Sequence, residues 1–224
     1  MMNRNRDRYE KLIRMVVVAV FCALAYVCQF VFRIHVGFLT FDAKDAVMAV
    51  AAMIFGPFWG LVMALLVSVL EFLTISGTGI YGLIMNFASS AAFCAISAGV
   101  YKYKRTMMGA VLGLSAAVLG TTALMMLLNV LVTPYYMTGG SVEAVVALIP
   151  SLLLPFNLTK TVMNAALVLV LYKPISVALK KARILKGGPD NFTFDKKTLI
   201  VLVGGLALIA VCVVVFLKVL GGNI

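Results

Sequence analysis

The chain has a single histidine, His35, so a HExxH motif or any other paired-histidine metal site is excluded. It lacks a GxxxxGK(S/T) run, which rules out a P-loop ATPase within these residues. Only four cysteines occur (Cys22, Cys28, Cys94 and Cys212). All lie in apolar stretches without metal-ligand spacing, so they read as small hydrophobic residues. Above all, charge is scarce. Charged residues make up 12% of the 224 positions against 63% hydrophobic, and mean hydropathy is +1.10. A soluble domain is typically about half apolar and about a quarter charged. The composition therefore excludes a soluble enzyme and calls for a polytopic membrane protein. Net charge is +11, but the basic residues lie between apolar stretches rather than on one face, which argues against nucleic-acid binding.

What the sequence does have is a series of long apolar runs. They cover residues 12–33, 45–55, 57–75, 80–100, 107–133, 147–172 and 198–219, and predict an all-α membrane helix bundle. The first run exceeds the core of a signal peptide, about 7–15 residues, and no small-x-small cleavage site follows, so it reads as a retained helix. The second is too short to span unless tilted, and Gly56-Pro57 predicts a kinked turn into the third. The seventh carries no charge from Leu199 to Leu217.

Basic residues set the expected orientation. With the N-terminus cytoplasmic, residues 1–14, 101–106 and 173–197 face inward and hold 15 of the 19 Lys and Arg. The segments 33–44, 74–81 and 134–146 then face outward, as does the C-terminus if the seventh helix spans. The basic 173–197 stretch reads as a topology signal, with contact to anionic headgroups as a second reading.

The sixth run holds the most unusual text, LLPFNLTKTVMNAALVLVLYKP. Asn157, Lys160 and Asn164 follow i, i+3, i+7 spacing and share one helix face. Lysine and amides facing lipid are costly, so this face should look into protein or a watery pocket. Glu71, Asn86 and Asn129 fall near the outer ends of their own runs, at similar depth given about 1.5 Å per residue. Together these side chains could form one outward-open cavity. It would bind through hydrogen bonds: asparagine matches imide, amide or polyol groups, and Lys160 a carbonyl or carboxylate. Phe38, Phe41, Tyr81, Tyr135 and Tyr136 are available to stack on a planar ring.

Plainer readings stand beside these. Asn86 and Asn129 serve equally well as interhelical hydrogen bonds, the tyrosines as an interfacial belt, and Glu71 as a residue at the water boundary. Asp42 and Asp45, flanking Lys44, read as caps for the second helix rather than an acid–base pair. Small-residue pairs four apart (Ala19 and Ala23, Gly56 and Gly60, Gly109 and Gly113) permit close helix approach, inside the bundle or to a partner.

Several segments together resemble the substrate-binding S components of energy-coupling factor vitamin transporters, most closely the riboflavin-specific ones. They are GFLTFDAKDAVMAVAAMIFGPFWG, the Asn86-Phe87 pair, PYYM at 134–137, and LLPFNLTKTVMNAALVLVLYKPIS. The similarity covers about residues 10–180. It implies a six-helix binding domain over 1–180 that docks on a transmembrane coupling subunit with two cytoplasmic ATPases, in a prokaryotic plasma membrane. No cofactor is expected. It implies a binding set of Phe41, Asp42, Glu71, Asn86, Asn129, Asn157, Lys160 and Asn164. Ala19 and Ala23 would face the coupling subunit, and residues 38–42 would close over the vitamin. Two features depart from the family: GIYGLIMNF replaces a GELANF-like run, and a linker at 181–197 leads to an extra helix in 198–224. The rival readings are an S component for folate, thiamin or a deazapurine, and a membrane interaction protein whose polar residues only join helices.

Overall fold

The computed structural model describes residues 2–31, 33–36, 39–75, 77–137, 140–182, 184–185 and 196–215. Its elements in order are α1 (Met2–Val31), β1 (Ile34–Val36), β2 (Leu39–Phe41), α2 (Lys44–Phe55), α3 (Pro57–Thr74), α4 (Gly79–Tyr103) and α5 (Met107–Val132). A 3-10 turn (Thr133–Tyr135), α6 (Val142–Leu148), a π-helical stretch (Ile149–Leu153), α7 (Leu154–Lys181) and α8 (Lys196–Val215) follow. Among the described residues, five helical stretches are long and apolar enough to cross a membrane: Arg8–Val31, Pro57–Thr74, Gly79–Tyr103, Met107–Tyr135 and Val142–Lys181. The protein is a multi-pass membrane helix bundle.

The short second run becomes the centre of the bundle. Residues Lys44 through Met53 of α2 are all buried, and α1, α3, α4 and α7 pack around it. Its Ala- and Val-rich text suits this position, because small side chains let four neighbours approach one axis. The turn at Gly56 adopts φ 109°, a conformation open to glycine, and Pro57 starts α3 where its missing N–H costs nothing. At the other small pairs, a Cβ on Gly60 would lie 2.8 Å from Ala52 Cβ, and one on Gly113 would lie 2.8 Å from the Ser97 carbonyl. These glycines therefore serve internal packing.

Two features differ from the sequence expectation. The 33–44 segment contains an antiparallel ribbon, pairing Ile34 with Phe41 and Val36 with Leu39. Three-residue strands are too short to show an alternating pattern. The sixth run also extends further than its hydropathy. Helix starts at Val142, passes through the π-helical stretch, and continues past Pro174 to Lys181. The apolar text stops at Lys173-Pro174, but proline within a helix need not end it.

Candidate functional site

A cavity of about 500 Å³ opens between the C-terminal end of α3, the N-terminal halves of α4 and α7, and the ribbon. Four of the anticipated binding residues line it: Glu71, Asn86, Asn157 and Lys160. Arg33, Thr40, Thr78, Ser89 and Tyr136 add polar groups, while Leu39, Met85, Met125 and Phe156 supply apolar wall. Asn86 has no side-chain hydrogen bond within the protein among the described residues. Asn157 donates to the Leu153 carbonyl at 2.8 Å, which leaves its amide oxygen for a cavity occupant.

From Glu71 and Lys160 in this wall, a layer of buried charge extends behind it. Lys160 Nζ donates to Asp42 Oδ2 at 2.9 Å and to the Thr40 carbonyl at 3.2 Å, so it ties α7 to the end of the ribbon. Lys44 Nζ donates to Glu71 Oε2 at 2.5 Å and lies 3.9 Å from Asp42. Ser90 donates its hydroxyl to Asp45 at 2.5 Å. Burial alone would raise the Asp42 pKa, but the ammonium groups of Lys160 and Lys44 outweigh it and hold the carboxyl below its ordinary value.

The other anticipated residues sit outside the cavity lining. Asn164 accepts the Ala46 N–H at 2.9 Å and donates to the Asp42 and Lys160 carbonyls. It thus caps α2 from another helix. Asn157 and Asn164 share a face but stand about 10 Å apart along the axis, enough for different neighbours. Asn129 is fully buried, its amide occupied by the Met125 carbonyl at 2.7 Å and the Thr133 hydroxyl at 2.9 Å. Asp42 is 1% exposed and lies outside the cavity lining, joined to it through Lys160 and, by way of Lys44, through Glu71. Phe41 packs edge-on against the outer side of the wall, its ring 6.3 Å from that of Phe156. Phe38 lies outside the described residues.

The capping role expected of the two aspartates is corrected in part. Asp42 Oδ1 does accept the Lys44 N–H at 3.3 Å, but Asp45 turns to Ser90, and the cap on Ala46 comes from Asn164. The tyrosines form a stack in which Tyr81 lies on Tyr135 and Tyr136, with centroids 6.2 and 6.0 Å away. Only Tyr136 of the three lines the cavity. Ala19 and Ala23 are exposed on α1, whose other face packs inward through Val18, Cys22 and Ala25. Sequence reasoning missed Arg33, Thr40, Thr78 and Ser89 in the lining, which carry no distinctive signal, and Lys44 behind it. The signal for Lys44 is a lysine at the mouth of one apolar run and a lone glutamate inside the next. Among the described residues no group of three or more His, Cys, Asp or Glu could hold a metal ion.

A family model for the substrate-specific component of ECF transporters matches residues 13–172. The riboflavin transporter RibU of Staphylococcus aureus (strain TCH60) is 28% identical over 177 residues, or 75% of this chain and 93% of that protein. A solved structure of the S component of a bacterial ECF transporter aligns with TM-score 0.64 at 27% identity, covering 75% of this chain and 97% of the other. With a polar cavity set among membrane helices and a family match running from α1 into α7, this chain belongs to the substrate-specific components of ECF transporters.

Proposed function

We propose that the protein binds riboflavin in the 500 Å³ cavity and delivers it for uptake. The volume falls in the range of small-molecule pockets, about 300–1,000 Å³, and the wall is more polar than apolar, which suits a ligand with many hydrogen-bonding groups. The observation that carries the reading is that Asn86 of α4 and Asn157 and Lys160 of α7 line one cavity. Amide donors and acceptors match the flavin imide and the ribityl hydroxyls, while Phe156, Met85 and Met125 meet the ring. The similarity to a riboflavin transporter supports this choice over folate, thiamin or a deazapurine.

In this reading the N-terminus and the basic 101–106 and 173–197 segments face the cytoplasm, in the plasma membrane of a prokaryote. The cavity opens outward, and the ribbon with residues 38–42 closes over the vitamin. Lys160 and Asp42 couple the bound ligand to that ribbon, because one ammonium touches both the cavity and the ribbon's end. The exposed Ala19 and Ala23 face meets the transmembrane coupling subunit, which two ATPases drive. Asn129 and Asn164 position the site from behind.

The test is a flavin absorption and fluorescence spectrum of the purified protein in detergent. A bound flavin that is lost in Asn86→Ala and Asn157→Ala, both still folded by thermal unfolding, supports the reading. A colourless protein that fails to quench added riboflavin sends the substrate to another vitamin.

A further inference from the structure

The family match ends at residue 172, yet the chain continues into α8, which packs along α7. Two contacts show how. A Cβ on Gly205 would stand 2.9 Å from Val170 Cγ2 and 3.4 Å from the Ala166 carbonyl, so the two helix axes approach closely at this point. Seven residues on, Cys212 is buried in a cluster with Phe41, Phe156 and Met163. Gly205 thus meets the middle of α7 and Cys212 its beginning, so α8 runs antiparallel to α7 towards the ribbon. At about 1.5 Å per residue its 20 residues extend about 30 Å, the thickness of a bilayer core.

The cluster that Cys212 joins bears directly on the cavity. Phe156 is cavity wall, and Leu39, which also lines the cavity, packs against the same cluster. Phe41 ends the ribbon, one residue before Asp42 and its bond to Lys160. From these contacts we infer that α8 is a built-in brace for the ligand cavity. Gly205 and Cys212 are positioning residues: the first seats α8 on α7, and the second fixes Phe156 and Phe41. A braced wall opens less often, so the occupant leaves more slowly.

The claim about retention rests on the riboflavin reading above, whereas the claim about the wall does not, and two readouts on the full-length protein separate them. Amide hydrogen exchange without ligand is compared between wild type, Gly205→Leu, Cys212→Trp and Cys212→Ala, alongside thermal unfolding. Gly205→Leu and Cys212→Trp should speed exchange at residues 39–46 and 154–164 while leaving α2–α5 elsewhere protected. Cys212→Ala keeps the small volume and should match wild type. Riboflavin dissociation, followed by recovery of flavin fluorescence, should then be about tenfold faster in the two bulky variants, since affinity changes among related sites fall mostly on the off-rate. Unchanged exchange in both bulky variants overturns the brace. Faster exchange with an unchanged riboflavin off-rate overturns its role in retention. Faster local exchange in a protein that binds no riboflavin even as wild type upholds the brace and refutes the flavin assignment instead.

Discussion

The two ends of this bundle are built on opposite principles. One end is dry: Met48, Val50, Ala51 and Ala52 of α2 pack against Phe93, Cys94 and Ala98 of α4, with Ala117 of α5 and Val168 of α7 in the same core. The end that holds the cavity buries Asp42, Lys44, Asp45, Glu71, Asn129, Asn157, Lys160 and Asn164 within a few turns of one another. A dry, close-packed core resists rearrangement because its contacts have one good arrangement. A layer of paired charges costs desolvation energy and is weak evidence for stability. It stands beside the cavity, whereas the dry end packs as one apolar core.

The largest effect expected from breaking this contrast is at Lys44. Lys44→Ala leaves Glu71 buried beside its lost partner, and should destabilise the protein by about 3–5 kcal/mol. Thermal unfolding in detergent reads it. The paired replacement Lys44→Met with Glu71→Met removes both charges and should recover most of that loss; failure to recover would mean that the pair does more than neutralise itself.

At the dry end, Gly60→Leu forces a side chain into Ala52 and Cys94, whose Cβ atoms stand 2.8 and 2.9 Å from where its Cβ would be. Overpacking of this kind costs about 1–3 kcal/mol. On the riboflavin reading, affinity at a temperature where the variant is folded should be nearly unchanged, because the cavity lies at the other end.

Asn164→Ala removes the cap on Ala46 and should cost about 1–2 kcal/mol. A fall in melting temperature accompanied by weaker flavin binding would identify Asn164 as support for the site. Weaker binding with an unchanged melting temperature would instead place it in direct contact with ligand.

The smallest stability effects belong to the cavity itself. Asn86→Ala should change stability by less than about 0.5 kcal/mol, and Asn157→Ala, which gives up a bond to the Leu153 carbonyl, by about 0.5–1.5 kcal/mol; on the riboflavin reading each should weaken binding about tenfold, the loss of one hydrogen bond to the ligand. Isothermal titration beside the thermal measurement separates the two quantities. If either variant lost stability as Lys44→Ala does, the division between cavity and charged layer would be misplaced.

Much of the site is legible in the amino-acid sequence. Asn157 and Lys160 stand out because polar groups inside an apolar run must face protein or water. Glu71 and Asn86 fall at the right depth by counting residues. The roles within the set are not legible. Helical spacing puts Asn157 and Asn164 on one face, but cannot say that the first meets a cavity and the second the end of α2. Asn129 looks like its neighbours in depth, yet its amide is satisfied by its own helix and Thr133. The ribbon leaves no periodic trace in three-residue strands.

By itself the sequence determined the membrane setting, the all-helical bundle, the bounds of α2 to α5 to within a few residues, and the polar character of one layer. Apolar length, the scarcity of charge and the cost of burying polar groups act locally along the chain, so they can be read from it. The tertiary structure decided that the shortest apolar run is the buried axis, that Lys44 pairs with Glu71 27 positions away, and that Asn164 caps a helix 118 positions distant. It also decided that the last helix reaches back to the ribbon. Each of these depends on which faces meet in space, and that follows from the packing of all the helices at once.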